Sequence, residues 1–268
     1  MSYTLRVCAL YPELMNIYAD RGNLLMLQRR CQWRGIAFEL AEASLGDELD
    51  PHAHDLVYLG GGQDRDQLLC AKDLVQVKGD ALRHAAAQGV QMLGVCGGYQ
   101  LLGRSYELGP DESIEGLGLL DVETVRPQGS SSRLIGNVAI EMDLEEPPLR
   151  VGLGGLRDRG TRPAREDHGS LVLAGFENHG GRTRLLSGQA PLGKVLRGFG
   201  NDGQSGFEGA ISGSVIGTYL HGPLLPKNAF FADWLISAAL RIPPSELAPL
   251  DDTLEQQAHA SALRAAGL

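Results

Sequence analysis

The stretch Gln91-Met92-Leu93-Gly94-Val95-Cys96-Gly97-Gly98-Tyr99-Gln100-Leu101-Leu102 constrains this chain more than any other. A short run with little polar character ends at a cysteine, two glycines follow, and an apolar pair then resumes. The first run reads as a strand buried on both faces, and the second as the start of a helix. Joining them so closely requires a sharp strand-to-helix corner, which lifts one side chain above the sheet. Glycines suit that corner because they carry no Cβ to clash. The side chain at the corner is Cys96. A sulfur there feels the positive end of a helix dipole, which favours the thiolate. A free cysteine with a pKa of about 8.5 is only a few per cent ionised at pH 7, and a drop of about two units would make thiolate the main form. The plainer alternative is a buried structural cysteine before a glycine-rich turn.

The rest of the N-terminal half fits such a corner. Strands are expected over residues 5–10, 36–41 and 56–59, alternating with helices over residues 20–33 and 64–87. In the first helix Leu24, Leu27 and Cys31 share one face. Alternation of this kind predicts a parallel sheet with right-handed crossovers. Ligands in such sheets sit beyond the carboxyl ends of the strands. Both Gly60-Gly61-Gly62 and Cys96 fall at such ends. Beyond residue 115 the pattern changes to short apolar strands, expected over 117–122, 134–140, 171–176 and 210–220. They read as an antiparallel region added to the same domain. A helix is expected over 226–242. Residues 1–245 therefore read as a single domain, with 246–268 as a helical C-terminal tail. The Gly- and Arg-rich stretch 153–169 reads as a surface loop insertion.

Composition excludes several classes. The 268 residues carry a formal net charge of −9, which argues against a nucleic-acid footprint. The four cysteines, Cys8, Cys31, Cys70 and Cys96, include no CxxC spacing, so neither a zinc site nor a disulfide framework is expected, and no metal site is predicted. The N-terminus lacks a signal-peptide pattern, and no apolar run reaches the length of a bilayer. A cytoplasmic location is expected.

A thiolate nucleophile needs a base, a group that orients the base, and an oxyanion hole. Of seven histidines, His52, His54, His84, His168 and His259 are expected at the surface. His221 follows the apolar run Ser214 to Leu220 and precedes Gly222-Pro223, which places it at the end of a central strand as the favoured base. His179, in Glu177-Asn178-His179-Gly180-Gly181, is a second candidate. The triple glycine is no phosphate loop, because Gln63-Asp64-Arg65 follows instead of a Lys-Ser/Thr pair, and it lacks the dinucleotide fingerprint. It suits the approach of backbone N–H groups to a substrate carbonyl. One such donor is worth roughly 3 kcal/mol.

Taken together, Gly60-Gly61-Gly62, Cys96-Gly97-Gly98-Tyr99-Gln100 and Gly217-Thr218-Tyr219-Leu220-His221-Gly222 resemble the class I (triad) glutamine amidotransferases. Within them the chain is similar to the cobyric-acid-synthase-like branch, and there to the GatD-type subunits of lipid II isoglutaminyl synthase. The likeness runs nearly the full length. It includes Asn16 to Asn23, Ser132-Arg133-Leu134, Gly175 to Thr183 and Gly217 to Asn228. It implies a flavodoxin-like α/β fold, a parallel or mixed sheet flanked by helices, with added antiparallel strands in the C-terminal half. It implies that Cys96 attacks the carboxamide of L-glutamine, that His221 moves the proton, and that the N–H groups of Gly62 and Gly97 form the oxyanion hole. Gln100 and Arg133 match substrate-binding positions, and an arginine suits the glutamine carboxylate.

The likeness further implies a heterodimer with a Mur-ligase-like synthetase. That partner would hold ATP and Mg²⁺, with no cofactor in this chain, and would amidate D-glutamate of the lipid II stem peptide at the inner membrane face. Most class I enzymes place a glutamate two residues after the histidine, where this chain has Pro223. The GatD-type likeness implies that the partner supplies an aspartate instead, leaving Cys96 and His221 as a dyad in the free chain. The stretch 153–169 is also longer than the likeness leads one to expect. Two alternatives stand beside this reading. One is a corrinoid amidotransferase, although complete enzymes of that kind carry an ATP-binding domain ahead of the glutaminase domain. The other is a non-catalytic binding protein on the same fold.

Overall fold

The computed structural model describes residues 3–17, 20–127, 133–143 and 170–268. The insertion expected at 153–169, His168 and Ser132 lie outside the described residues. The N-terminal half runs β1 (Thr4–Leu10), α1 (Arg21–Trp33), β2 (Ala37–Ala43), β3 (Leu56–Leu59), α2 (Asp64–Gln76), α3 (Gly79–Ala87), β4 (Gln91–Val95) and α4 (Gly97–Leu102). Then come β5 (Ser105–Gly109), β6 (Glu112–Glu115), β7 (Val122–Val125), β8 (Leu134–Asp143), β9 (Ser170–His179), β10 (Arg182–Leu185), β11 (Gly193–Arg197) and β12 (Phe207–Glu208). The chain closes with β13 (Ala210–Ser212), β14 (Val215–Thr218), α5 (Leu224–Lys227), α6 (Ala229–Ala239) and α7 (Thr253–Ala266).

The central sheet has the order β13-β14-β4-β3-β1-β2. Its strands are parallel except β13, which joins β14 as a hairpin. Every residue of β3, β4 and β14 is buried, as the continuous apolar runs predict for strands covered on both faces. From β1 the chain first steps outward to β2 and then crosses back to β3, so the topology switches beside β1. The crevice at such a switch is where open α/β sheets bind ligands. Two four-stranded sheets, β10-β7-β5-β6 and β12-β11-β8-β9, make up the added β region.

Four expected elements are broken, each for a tertiary reason. The helix expected over 64–87 divides at Lys78. This side chain is fully buried, with Nζ 2.9 Å from the Ser44 carbonyl and paired with Asp73, so the chain leaves the helical path to carry it inward. The strand expected over 117–122 starts only at Val122. Before it, Leu117 and Leu119 donate their N–H groups to the carbonyls of Leu101 and Leu102, at 2.8 and 3.0 Å, and form a turn that caps α4. The strand expected over 210–220 is a hairpin turning at Gly213, whose φ is 57°. The helix expected over 226–242 breaks at Asn228. Its amide accepts from the Ala174 N–H at 2.9 Å and donates to the Ala174 carbonyl at 2.8 Å, pairing with β9 as a strand residue would. Strands β5 and β6 bury only Tyr106 and Ile114, too little apolar pattern to be read from sequence.

The expected face of α1 is confirmed: Leu24, Leu27 and Cys31 are buried. With them goes Arg30, also fully buried, which donates to Asp233 at 2.5 and 2.7 Å and to Asp252 at 2.7 and 3.0 Å. That ion cluster ties α6 and the approach to α7 against α1. Removing one member of such a buried network costs roughly 3–5 kcal/mol, because the remaining charge is left uncompensated.

Candidate active site

Four loops leave the carboxyl ends of β1, β3, β4 and β14, and they converge. Cys96 caps α4 with φ 52° and ψ −104°, a left-handed backbone unusual for a residue with a Cβ. Holding it there costs about 1–3 kcal/mol, a strain found mostly at functional positions. The corner is pinned by the Cys96 N–H, which donates to the Thr218 carbonyl at 2.8 Å. Close packing explains the following glycines: a Cβ on Gly98 would lie 2.1 Å from the Leu59 carbonyl oxygen. The expected elbow is present.

His221 lies one strand over, fully buried. Its backbone pairs with Phe176 of β9, and its Nδ1 faces Asp20 Oδ1 at 3.3 Å. Burial alone would push the imidazole pKa down. The charge on Cys96 opposes this most, followed by hydrogen bonds to Asp20 and Cys96, and together they hold it up to about 10. The surroundings of His221 therefore favour its protonated form.

Beside the expected dyad the structure places a carboxylate of this chain, Asp20. No carboxylate follows His221 in sequence, yet one reaches it from the turn before α1, 201 residues away. Its sequence position reads as a helix cap, but the side chain caps nothing. It is fully buried, and its second oxygen accepts the Gly61 N–H at 2.9 Å. Tyr58 donates to the Asp20 carbonyl at 3.1 Å, and Asn23 donates to Tyr58 at 3.0 Å. The Asn23 side chain also accepts the N–H of Leu225 at 2.8 Å, which links this turn to the helix after His221. An aspartate before a helix, with glycines far downstream, carries no local sign of this role.

The glycine loop lies between the acid and the nucleophile. A Cβ on Gly62 would lie 2.3 Å from Met15 Sδ, so only a residue without one fits. The Gly62 nitrogen sits 2.8 Å from where a Cβ of Gly97 would be, which puts the two expected oxyanion donors side by side. Among the described residues neither N–H is given to an acceptor. Gln100 is buried, and its amide is engaged by protein: Oε1 accepts from Gln67 at 2.9 Å and Nε2 donates to Tyr219 at 3.1 Å. Arg133 is exposed at the start of β8. Its guanidinium is fixed on Asn178 by bonds of 2.8 Å from Nε and 2.7 Å from Nη2.

The remaining candidates separate cleanly. His179 is buried and stacked on the Tyr219 ring, 3.6 Å between centroids and 6° from parallel. Burial drives its pKa down to about 3, so it is neutral. His52 and His84 are exposed and His54 is half-buried. His259, expected at the surface, is half-buried with Nδ1 2.9 Å from the Lys227 carbonyl. Burial pushes the thiol of Cys8 up to about 11 and those of Cys31 and Cys70 up to about 12, which leaves them inert. Behind the His221 loop lies Glu208, which the sequence did not single out. It accepts from the Tyr219 N–H at 2.6 Å and from the Thr218 hydroxyl at 3.0 and 3.1 Å. Burial, aided by the Glu177 charge, pushes its carboxyl up to about 8. Among the described residues no three metal-binding side chains converge.

Cys96 on its elbow, His221 one strand over and the paired N–H groups of Gly62 and Gly97 thus meet at the carboxyl end of a doubly wound sheet. The model of the CobB/CobQ-like glutamine amidotransferase domain matches residues 6–229, and the chain belongs to that family. The GatD subunit of lipid II isoglutaminyl synthase (glutamine-hydrolysing) from Staphylococcus aureus (strain N315) is 35% identical over 248 residues, 92% of this chain and 89% of the relative. The GatD subunit from Streptococcus pneumoniae (strain ATCC BAA-255 / R6) is 36% identical over 240 residues, 89% of this chain and 82% of the relative. Cobyric acid synthase of Pelotomaculum thermopropionicum is 40% identical over 149 residues, but these are 53% of this chain and 25% of that enzyme. Among solved structures, PurLQS from Thermotoga maritima aligns with a TM-score of 0.57 at 16% identity, covering 88% of this chain and 98% of that one. The acivicin-bound glutaminase domain of Trypanosoma brucei CTPS aligns with a TM-score of 0.51 at 11% identity, over 89% and 94%. These two likenesses concern the fold, and they agree with the expected α/β architecture. Among the described residues no helix is long and apolar enough to cross a membrane.

Proposed function

We propose that this chain is the glutamine-hydrolysing subunit of a lipid II isoglutaminyl synthase, and that Cys96, His221 and Asp20 carry its chemistry. The observation that carries the reading is the convergence of Cys96 on its elbow with the buried His221, whose Nδ1 lies 3.3 Å from the buried Asp20 carboxylate. The Cys96 thiolate attacks the side-chain carboxamide carbon of L-glutamine. The carbonyl oxygen becomes an oxyanion, received by the N–H groups of Gly62 and Gly97. The tetrahedral adduct collapses as His221 gives its proton to the departing nitrogen, so ammonia leaves and a glutamyl thioester remains. His221, now neutral, takes a proton from water as the water attacks the thioester. Glutamate departs and the ion pair returns. Asp20 keeps the ring oriented with Nδ1 toward itself throughout. Arg133 on the rim receives the glutamine carboxylate.

The ammonia passes to a Mur-ligase-like synthetase subunit, which binds ATP and Mg²⁺ and amidates D-glutamate of the lipid II stem peptide. A lipid-linked acceptor draws the complex to the cytoplasmic membrane face. Coverage favours this over the corrinoid reading: the GatD subunits are matched over 82–89% of their length, the cobyric acid synthase over 25%. With Asp20 inside the chain, the partner acts as acceptor of ammonia and not as the source of a missing carboxylate. The test is glutamate release from glutamine by the purified chain, with and without the synthetase, beside Cys96→Ser and Asp20→Asn. Release that requires Cys96 and Asp20 and occurs without the synthetase supports the reading. Release that appears only with the synthetase and ignores Asp20 returns the orienting role to the partner. A chain that binds the synthetase but never releases glutamate is a binding protein.

A further inference from the structure

Each glycine of the Gly60–Gly62 loop is clamped by a different element. The Gly60 carbonyl accepts the Gly98 N–H at 3.0 Å. Gly61 donates its N–H to Asp20 at 2.9 Å, and its carbonyl accepts the Ile17 N–H at 3.1 Å. The Gly62 carbonyl accepts from Nε2 of Gln67 at 3.3 Å. Gln67 lies one turn into α2 and is buried, so its side chain folds back over the start of its own helix. A Cβ on Gly97 would lie 3.0 Å from Gln67 Nε2 as well as 2.8 Å from the Gly62 nitrogen, so this amide lies directly beside both oxyanion donors.

The amide is itself held from behind. Nε2 of Gln67 also donates to Gln100 at 2.9 Å, and Gln100 donates to the Tyr219 hydroxyl at 3.1 Å. That hydroxyl is 2.6 Å from Thr183, which is 2.8 Å from Thr124. The relay runs from the β10–β7 pair to the oxyanion hole, and every side chain in it is buried.

Resting on the glutaminase reading above, we propose that Gln67 is a positioning residue of the oxyanion hole, with Gln100 acting through it. The bond to the Gly62 carbonyl fixes the Gly62–Gln63 peptide, while the Ile17 bond to the Gly61 carbonyl fixes the preceding peptide that carries the Gly62 N–H, so Gly62 is held on both sides with its N–H beside that of Gly97. A preorganised donor needs no rearrangement as charge develops, which is where its catalytic value lies. Gln100, matched by likeness to a substrate-binding position, spends its amide on protein and contributes by steadying Gln67.

Gln67→Leu and Gln67→Met, both near the native volume, test this in the full chain, alone and with its synthetase. Three readouts separate the possibilities: kcat and KM for glutamine, the rate of Cys96 alkylation by iodoacetamide, and the affinity for glutamate γ-semialdehyde. Alkylation breaks a carbon–iodine bond and forms no oxyanion. The aldehyde adds to the thiolate as a tetrahedral hemithioacetal whose oxygen occupies the hole. The expected result is a kcat lower by about 10–100-fold, below the full loss of one donor, with KM within about twofold. Alkylation is unchanged, and aldehyde affinity falls by the same factor as kcat. Gln100→Leu has a smaller effect, and the double variant Gln67→Leu/Gln100→Leu is no worse than Gln67→Leu, as members of one relay are not additive. Unchanged kcat, a rise confined to KM, or alkylation falling in step with kcat in both variants overturns the proposal. Native chain that neither hydrolyses glutamine nor binds the aldehyde overturns the glutaminase reading first, and this inference with it.

Discussion

Two buried histidines stand at or just past the carboxyl ends of strands from two different sheets, and they have opposite characters. His221 and His179 are equally hidden from solvent, on backbones bridged through Phe176. His179 meets an aromatic ring and a carbonyl, 2.9 Å away at Gly181, and burial takes its charge away. His221 meets the Asp20 carboxylate and the charge on Cys96, which outweigh the same burial. Depth therefore does not set the charge of a histidine here. The groups around it do: Asp20 from the turn before α1 and Cys96 from the corner after β4.

The largest effect that can break this contrast is loss of the ring. His221→Gln is expected to lower glutamine turnover by about 10⁴-fold or more, as loss of a triad histidine does. His179→Gln should change it by less than about fivefold, since its ring only packs on Tyr219. Comparable losses in the two steady-state rates would abolish the distinction. Next comes Asp20→Asn, which keeps the shape and removes the charge. It should cost about 10²–10⁴-fold in kcat. It should also lower the His221 pKa from about 10, read by NMR titration of the ring, because its bond to Asp20 is one of the forces raising it.

The two rings should also tilt stability in opposite directions with pH. The folded pKa of His221, about 10, lies above its ordinary 6.5. Its contribution is complete below pH 6.5 and is lost as pH rises toward 10. The folded pKa of His179, about 3, lies below 6.5. Its contribution is complete above pH 6.5 and is lost as pH falls toward 3. Urea midpoints across pH should therefore flatten on the alkaline side in His221→Gln and on the acid side in His179→Gln. The same flank flattening in both would refute the assignment. The smallest effect belongs to Glu208→Gln. A carboxyl raised from 4.5 to about 8 costs stability increasingly as pH climbs between those values. The amide keeps an oxygen for Tyr219 and Thr218, so the variant should match the native urea midpoint at pH 5 and slightly exceed it at pH 8.

What could be read from sequence was what the chain states locally. Cys96 is announced by the glycines that follow it, and His221 by the strand ahead of it and the Gly-Pro after it. Asp20 is not, because its neighbours advertise a helix start and its partner is 201 residues away. Pro223 removed the usual sign of an acid without removing the acid. The helix breaks at Lys78 and Asn228 were hidden for the same reason. Each follows from one polar side chain finding a partner elsewhere, Ser44 and Asp73 in one case and Ala174 in the other. Gln67 was invisible too, since a glutamine on an amphipathic helix looks like surface until the glycine loop is seen folded over it.

On the proposed mechanism, the pairing of Asp20 with His221 also governs when a newly made chain becomes active. Cys96 is made early, and Gly62 and Gly97 with it. His221 arrives some 125 residues later, just past the strand that slots between β13 and β4. Until then the thiol has no proton partner and Asp20 has nothing to orient. Partly synthesised or C-terminally truncated chains are therefore unable to spend the cell's glutamine, because the first turn of the fold and its last central strand must meet before any ammonia can be released.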